Sequence, residues 1–162
     1  MRDEEYMRLA LEIAREAARA GEIPVGAVVV QNGQVIAQAG NEKLILEDAT
    51  AHAELLALQR AARHLGTWRL QEATLYCTLE PCPMCAGAMI NARLGRLVFG
   101  AWDEKGGAAG SVLDIVRCPG LNHQVQVQAG ILKEECAEPL TAFFADLRRD
   151  GRGAEGARLE IE

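Results

Sequence analysis

The sequence lacks an apolar run fit for a membrane: the longest, around Val25 to Val30, falls far short of the roughly 20 residues a spanning helix needs. No secretory leader is expected either, because the opening Met1-Arg2-Asp3-Glu4-Glu5 is charged and acidic. A cytoplasmic protein is expected. The five cysteines are an odd count with Cys82 and Cys85 spaced as a metal-type pair, which argues against a disulfide framework. Excess positive charge is also missing. The formal net charge is −6, which counts against an RNA partner, since phosphate contacts draw on Lys and Arg. That charge is unevenly placed, however: acidic residues crowd the first 22 positions and the last 30, whereas Arg148, Arg149 and Arg152 cluster near the end. Such a cluster suits a solvated face or a phosphate-binding patch. Internal repeats and interdomain linkers are absent.

What is present is an ordinary globular composition, 49% hydrophobic and 25% charged, in 162 residues, enough for one domain with a proper core. One domain is expected over residues 1–150, and the Gly-rich, charged stretch 151–162 is expected to fray. Residues 3–20 carry Tyr6, Leu9, Leu11, Ile13, Ala14 and Ala17 at near-helical spacing and end at Gly21, which predicts an amphipathic helix. Pro24 to Gln31 and Gln34 to Gly40 read as strands joined by Asn32-Gly33, a type I′ hairpin turn. A polar loop over 41–50 leads to a helix ending at Leu65 before Gly66, whose His64 reads as a structural last-turn cation. Ala73 to Leu79 and Leu94 to Gly100 read as strands around a helix that ends near Ala92. Val112 to Val116 suggests one or two helical turns, His123 to Gln128 a strand, and Pro139 to Asp150 a last helix of about ten residues. Strands alternating with helices predict a three-layer α/β/α domain around a mixed sheet of about five strands.

The chemistry concentrates in residues 78–89, Thr-Leu-Glu-Pro-Cys-Pro-Met-Cys-Ala-Gly-Ala-Met. Cys82 is placed to be a helix N-cap, Pro83 suits the first helical position, and Cys85 falls on the face of Cys82. Unpaired N–H groups and the positive end of the helix dipole favour thiolates there. Upstream, Thr50-Ala51-His52-Ala53-Glu54 opens a second helical run, with Thr50 as its expected cap. Residues two apart lie about 200° apart around a helix, so His52 and Glu54 can bracket one ligand only at a helix end. A site between two helix N-termini follows. His52, Cys82 and Cys85 would hold zinc by three protein ligands, leaving a fourth position for water, with Glu54 as a neighbour and not a ligand. A carboxylate at that place is useful, because two thiolates and one imidazole make zinc formally neutral and acidify water less than three imidazoles do. Glu80, at the end of the preceding strand, reads as structural.

His-x-Glu followed by Pro-Cys-x-x-Cys is the signature of the zinc-dependent nucleoside and base deaminases. Ile23-Pro24-Val25-Gly26-Ala27, the run Thr78 to Met89, Phe99-Gly100-Ala101, Gly107 to Ser111, Asn122-His123 and Phe143-Phe144-x-x-Leu147-Arg148 extend the match. Over roughly residues 4–149 the chain resembles the bacterial tRNA-specific adenosine deaminases. That resemblance implies a cytidine deaminase-like fold, one zinc ion per subunit, a tRNA anticodon stem-loop as partner and a homodimer. It implies a catalytic Glu54, with Asn41 beside the bound nucleotide, Asp103 near a flanking ribose, and Phe143, Phe144 and Arg148 on a C-terminal helix lining the anticodon loop. The Ala53 main-chain N–H would orient the base. Trp102 and Gln124 stand where some relatives carry Arg, and Ala49 replaces a common Pro, so details of RNA contact depart from the pattern.

Three functions remain open on these grounds. The leading one is hydrolytic deamination of adenosine to inosine at the wobble position of a tRNA anticodon, that of an arginine tRNA bearing ACG. A small-molecule deaminase acting on cytosine, guanine or a nucleoside shares the same metal motif. The third is a non-catalytic zinc-stabilised RNA-binding module; a closed structural zinc site would need a fourth ligand, for which Cys77, Cys118, Cys136, His64 and His123 are the candidates.

Overall fold

The computed structural model describes residues 2–150. The stretch 151–162, and with it Arg152, lies outside the described residues. In chain order the elements are α1 (Arg2–Arg19), β1 (Gly26–Gln31), β2 (Gln34–Gly40), α2 (Ala53–Leu65), β3 (Ala73–Leu79), α3 (Pro83–Asn91), β4 (Arg96–Ala101), β5 (Gln126–Ala129) and α4 (Lys133–Arg149). The five strands form one sheet in the order β2-β1-β3-β4-β5, antiparallel from β2 to β3 and parallel from β3 to β5. This is the expected mixed sheet.

The apolar run near residue 25 is explained by burial of β1 on both faces. Ala27 and Val29 enter one core with Ala57, Leu58, Met89 and Ile90 of α2 and α3, while Val28 and Val30 enter another with Met7, Ala10 and Leu11 of α1 and Cys136 of α4. Helices therefore cover both sides, giving the α/β/α layers, and a strand buried on both faces reads as a continuous hydrophobic stretch rather than an alternating one. The hairpin turn is of the expected kind: Asn32 and Gly33 both have positive φ, 53° and 72°, which matches the strand twist. Asp3 fastens α1 to the sheet, accepting two hydrogen bonds from Arg96 of β4 at 2.9 and 2.8 Å and one from the Tyr76 hydroxyl of β3 at 2.8 Å.

Four expectations need correction. Thr50 does not cap α2; its hydroxyl and N–H both bond Asp48 Oδ1, closing a tight turn, and the extended residue before the helix is His52 itself (φ −79°, ψ 147°). Residues 112–116 are not helical, because Ala109 and Asp114 form an isolated antiparallel bridge and the surrounding N–H groups are taken by other partners. The last helix starts at Lys133, six positions before Pro139, and runs 17 residues with that proline buried inside. Its first turn carries Glu134 and Glu135, which suit a helix start, so the proline marked an interior position and not the beginning. The last strand is also shorter than 123–128, because Val125 N–H bonds Val116 O and pairing with β4 begins only at Gln126.

The register places the site. Gly40 pairs with Gly26, Gly26 N–H bonds Thr78 Oγ, and Leu79 pairs with Ala101, so the C-terminal ends of β2, β3 and β4 meet at one edge. Ligand sites of open α/β sheets form where the carboxyl ends of strands release their loops.

Candidate active site

From that edge, two helices begin side by side. Cys82 is the N-cap of α3 with Pro83 in its first turn, and His52 is the N-cap of α2, so both caps carry a metal-binding side chain instead of the usual hydroxyl or amide. Neither makes the side-chain cap bond that a hydroxyl or amide would. They face each other instead: His52 Nδ1 lies 3.5 Å from Cys82 Sγ and 3.5 Å from Cys85 Sγ. Zinc–nitrogen and zinc–sulfur bonds of about 2.05 and 2.3 Å at a tetrahedral angle would separate such donors by about 3.5 Å. Both nitrogen–sulfur sides of the triangle therefore have the length that a tetrahedral ion requires. Among the described residues, His52, Cys82 and Cys85 are the group of His, Cys and carboxylate side chains whose ligand atoms all approach within 4.8 Å, and the group includes no fourth member. Cys77, Cys118, Cys136, His64 and His123 stand apart from it, which removes the closed structural site for lack of a ligand.

The electrostatics agree. The hydrogen bond from the Cys85 thiol, helped by that from His52, pulls the Cys82 thiol down to about 4. Cys85 is pushed far up because it is the donor to that thiolate and is buried. The two sulfurs thus share one proton, with the bond to Cys82 raising the pKa of His52. A divalent cation placed among them would displace the protons and hold both sulfurs as thiolates.

Glu54, one residue inside α2 beyond Ala53, is only 4% exposed, and its Oε2 lies 3.8 Å from Cys85 Sγ. Burial lifts its carboxyl to about 7, against the opposing pull of His52. A carboxyl poised there exchanges a proton readily near neutral pH. Ala53, between His52 and Glu54, is fully buried.

The remaining predicted residues fall in two other places. Asp103, Phe144 and Arg148 line a cavity of about 510 Å³ between the end of β4 and α4, together with Leu79, Trp102, Lys105 and Lys133. Phe143 is outside that lining and packs edge-on against Phe144, with ring centroids 5.4 Å apart. Asn41 belongs neither to the triangle nor to the cavity wall: it is buried and donates from Nδ2 to Glu22 at 3.1 Å. Its loop is tied to the approach to His52 by the bond from Glu42 N–H to Ala51 O, 2.9 Å. Of the departures from the family pattern, Trp102 lines the cavity and Gln124 and Ala49 are exposed.

Sequence reasoning missed Glu22. It is fully buried and accepts from Asn41 Nδ2 and the N–H groups of Ile23, Leu44 and Ile45 at 2.8 to 3.1 Å. A single acid between Gly21 and Ile23 carries no signal that separates it from a solvated one. Glu80, read as structural, is likewise buried and accepts from the N–H groups of Asp103, Ala109 and Ser111 and from the Ser111 hydroxyl.

Comparison with known proteins agrees with this arrangement. The family model of the MafB19-like deaminases matches residues 1–148. A tRNA-specific adenosine deaminase of Bacillus subtilis is 48% identical over 152 residues, covering 94% of each chain. A solved structure from work on A-to-I editing by tRNA:A34 deaminases at the wobble position of transfer RNA is 46% identical, with a TM-score of 0.81 over 84% of this chain and 99% of that one. A guanine deaminase from Nitrosomonas europaea is more distant, 28% identical with a TM-score of 0.73 over 86% of this chain and 83% of that one. The chain therefore belongs to the MafB19-like deaminases, and its relatives place it in the family of tRNA-specific adenosine deaminases.

Proposed function

We propose that this protein hydrolytically deaminates adenosine to inosine at the wobble position of a tRNA anticodon, with an arginine tRNA bearing ACG as its substrate. The observation that carries the reading is the buried Glu54 carboxyl beside a three-ligand triangle that contains no fourth side chain. Residues 1–150 act as one deaminase domain, in the cytoplasm and as a homodimer with one zinc ion per subunit.

His52, Cys82 and Cys85 would hold that zinc, which supplies Lewis acidity that makes water a nucleophile near neutral pH. Glu54 accepts the proton that the attacking water loses. It then delivers protons to the adenine ring nitrogen and to the departing amine, so that a C6–O bond forms, the C6–N bond breaks, and inosine and ammonia result. Burial serves this role, because a carboxyl lifted to about 7 takes and returns a proton at little cost. Asn41 and the Ala53 main-chain N–H orient the nucleotide. The cavity beside Asp103 suits the flanking nucleotides: Phe144 and Trp102 offer flat faces for splayed bases, and Lys105, Lys133 and Arg148 offer positive charge to the backbone. Those three cations share the cavity with the carboxylates of Asp103 and Glu104, so the lining carries a slight positive balance in a chain whose net charge is −6. Phe143 supports Phe144 from behind.

The test is incubation of the zinc-loaded protein with an ACG-bearing arginine tRNA, an unrelated tRNA, and free adenosine, cytosine and guanine, followed by assay of inosine and ammonia. Inosine from the arginine tRNA alone is the expected result. Ammonia only from a free base or nucleoside would replace the proposal with the small-molecule deaminase, and no product with zinc bound would replace it with a binding module.

A further inference from the structure

We propose that Glu80 is a positioning residue for substrate binding, holding the wall that carries Asp103 in fixed relation to the metal-binding cysteines. The inference deepens the function proposed above and rests on it for the role of Asp103. Glu80 is 1% exposed, lies two residues before Cys82, and directs its carboxylate into the loop that follows β4. Oε1 accepts from Asp103 N–H at 3.0 Å and from the Ser111 hydroxyl, while Oε2 accepts from Ala109 and Ser111 N–H, each at 3.0 Å. One carboxylate thereby gathers both ends of residues 103–111. The fit is close: a Cβ on Gly107 would stand 2.3 to 2.4 Å from the Glu80 carboxyl atoms, so only glycine lets the loop wrap this tightly.

The bonds held by this side chain are distinct from those that hold the strand. The main chain is pinned independently, by Glu80 N–H to Ala101 O and Ala108 N–H to Pro81 O, each 2.8 Å. Asp103 in turn shapes the turn beside it, accepting at Oδ1 from Lys105 and Gly106 N–H, each at 3.1 Å. Removing the carboxylate therefore frees the cavity wall of Trp102, Asp103 and Lys105 while leaving the sheet and the start of α3 in place. Glutamine is the discriminating replacement. It matches the shape but has a single acceptor oxygen, so its NH₂ group must face at least one main-chain N–H donor, that of Asp103 or those of Ala109 and Ser111.

The test uses zinc-loaded Glu80→Gln and Ser111→Ala, with steady-state kinetics on the arginine tRNA anticodon stem-loop, zinc content per chain, and amide exchange read residue by residue by NMR. Glu80→Gln is expected to raise KM by about ten-fold or more, the scale of one lost charge-assisted bond, with kcat within about three-fold of the unaltered protein. Zinc stays at one per chain, and exchange speeds up at Asp103, Ala109 and Ser111 but not in β3 or β4. Ser111→Ala moves KM in the same direction by a smaller factor. An unchanged KM in Glu80→Gln, or a loss of kcat or zinc at constant KM, overturns the proposal. Should Glu80→Gln fail to fold, an unchanged KM and unchanged exchange in Ser111→Ala overturn it. If the unaltered protein acts only on free nucleosides, the proposed function fails on its own, and exchange in the loop still decides whether Glu80 holds it.

Discussion

Three buried glutamates surround one edge of the sheet, and they are not alike. Glu22 and Glu80 each accept four hydrogen bonds from donors on neighbouring loops, whereas Glu54 faces a cysteine sulfur at 3.8 Å and is lifted to about 7 by burial. A buried carboxyl with donors at both oxygens is a brace, since it ties together the segments that supply those donors. One with few donors is free to change its protonation state, which a proton-transferring group must do. Two of these glutamates therefore hold loops beside the site and the third is the one proposed to work in it, although all three have the same side chain and similar burial.

That contrast can be broken by experiment. Among the three glutamates the largest effect on activity is expected from Glu54→Gln, which should lower turnover by on the order of 10²–10⁴ while zinc content and thermal stability stay close to those of the unaltered protein. Near-normal turnover, measured as inosine released, would remove Glu54 from its role. Stripping zinc with a chelator, or replacing Cys85 with Ala, should abolish turnover and lower Tm by roughly 5–10 °C, the scale for losing a ligand bound at about 100 times its Kd in a protein of this size. An unmoved Tm would mean that the triangle binds no ion in solution.

Glu22→Gln is expected to cost about 1–3 kcal/mol of stability in urea unfolding, because its amide leaves N–H donors of the 41–45 loop unpaired. It should cost more stability than Glu54→Gln does. The reverse ranking would erase the distinction between brace and proton carrier.

The smallest effect concerns Asp3, away from the site. Its hydrogen bonds from Arg96 hold its carboxyl below the ordinary 3.8, so the folded value lies under the unfolded one. The stability it adds is present above the unfolded value and is lost as pH falls through the folded one. Asp3→Asn should thus destabilise by about 1 kcal/mol at neutral pH, and the difference from the unaltered protein should shrink in acid below the ordinary carboxylate range. A pH-independent difference would locate the contribution in packing instead.

Much of the site was legible before any fold was known. His52 and Cys82 sit at helix starts, and Pro83, Cys85 and Glu54 fall at fixed offsets from them, so local helix geometry brings the ligands to bear once the two helix ends meet. Other features were less legible for reasons that can be stated. Thr50 looked like a cap because its residue type favours one, but Asp48 bonds it first. Pro139 looked like a helix start because proline prefers that place, yet burial against the sheet carries α4 through it. Residues 112–116 had the composition of a helical turn and were drawn out by pairing between Ala109 and Asp114.

The sequence by itself made legible the two halves of the donor set, the layers and the hairpin, since the offsets within His52–Glu54 and within Cys82–Cys85 and the patterns of period two or near four are local, while the fold closes the 30 residues between His52 and Cys82. Only the tertiary structure decided which buried acids are surrounded by N–H donors and which faces a cysteine sulfur, and that Asp103, Phe144 and Arg148 share one cavity while Asn41 does not. The reason is physical. How a carboxyl behaves depends on how many N–H groups reach it, and the donors of Glu22 and Glu80 arrive from up to 31 residues away, along loop paths that exist only once the sheet has formed.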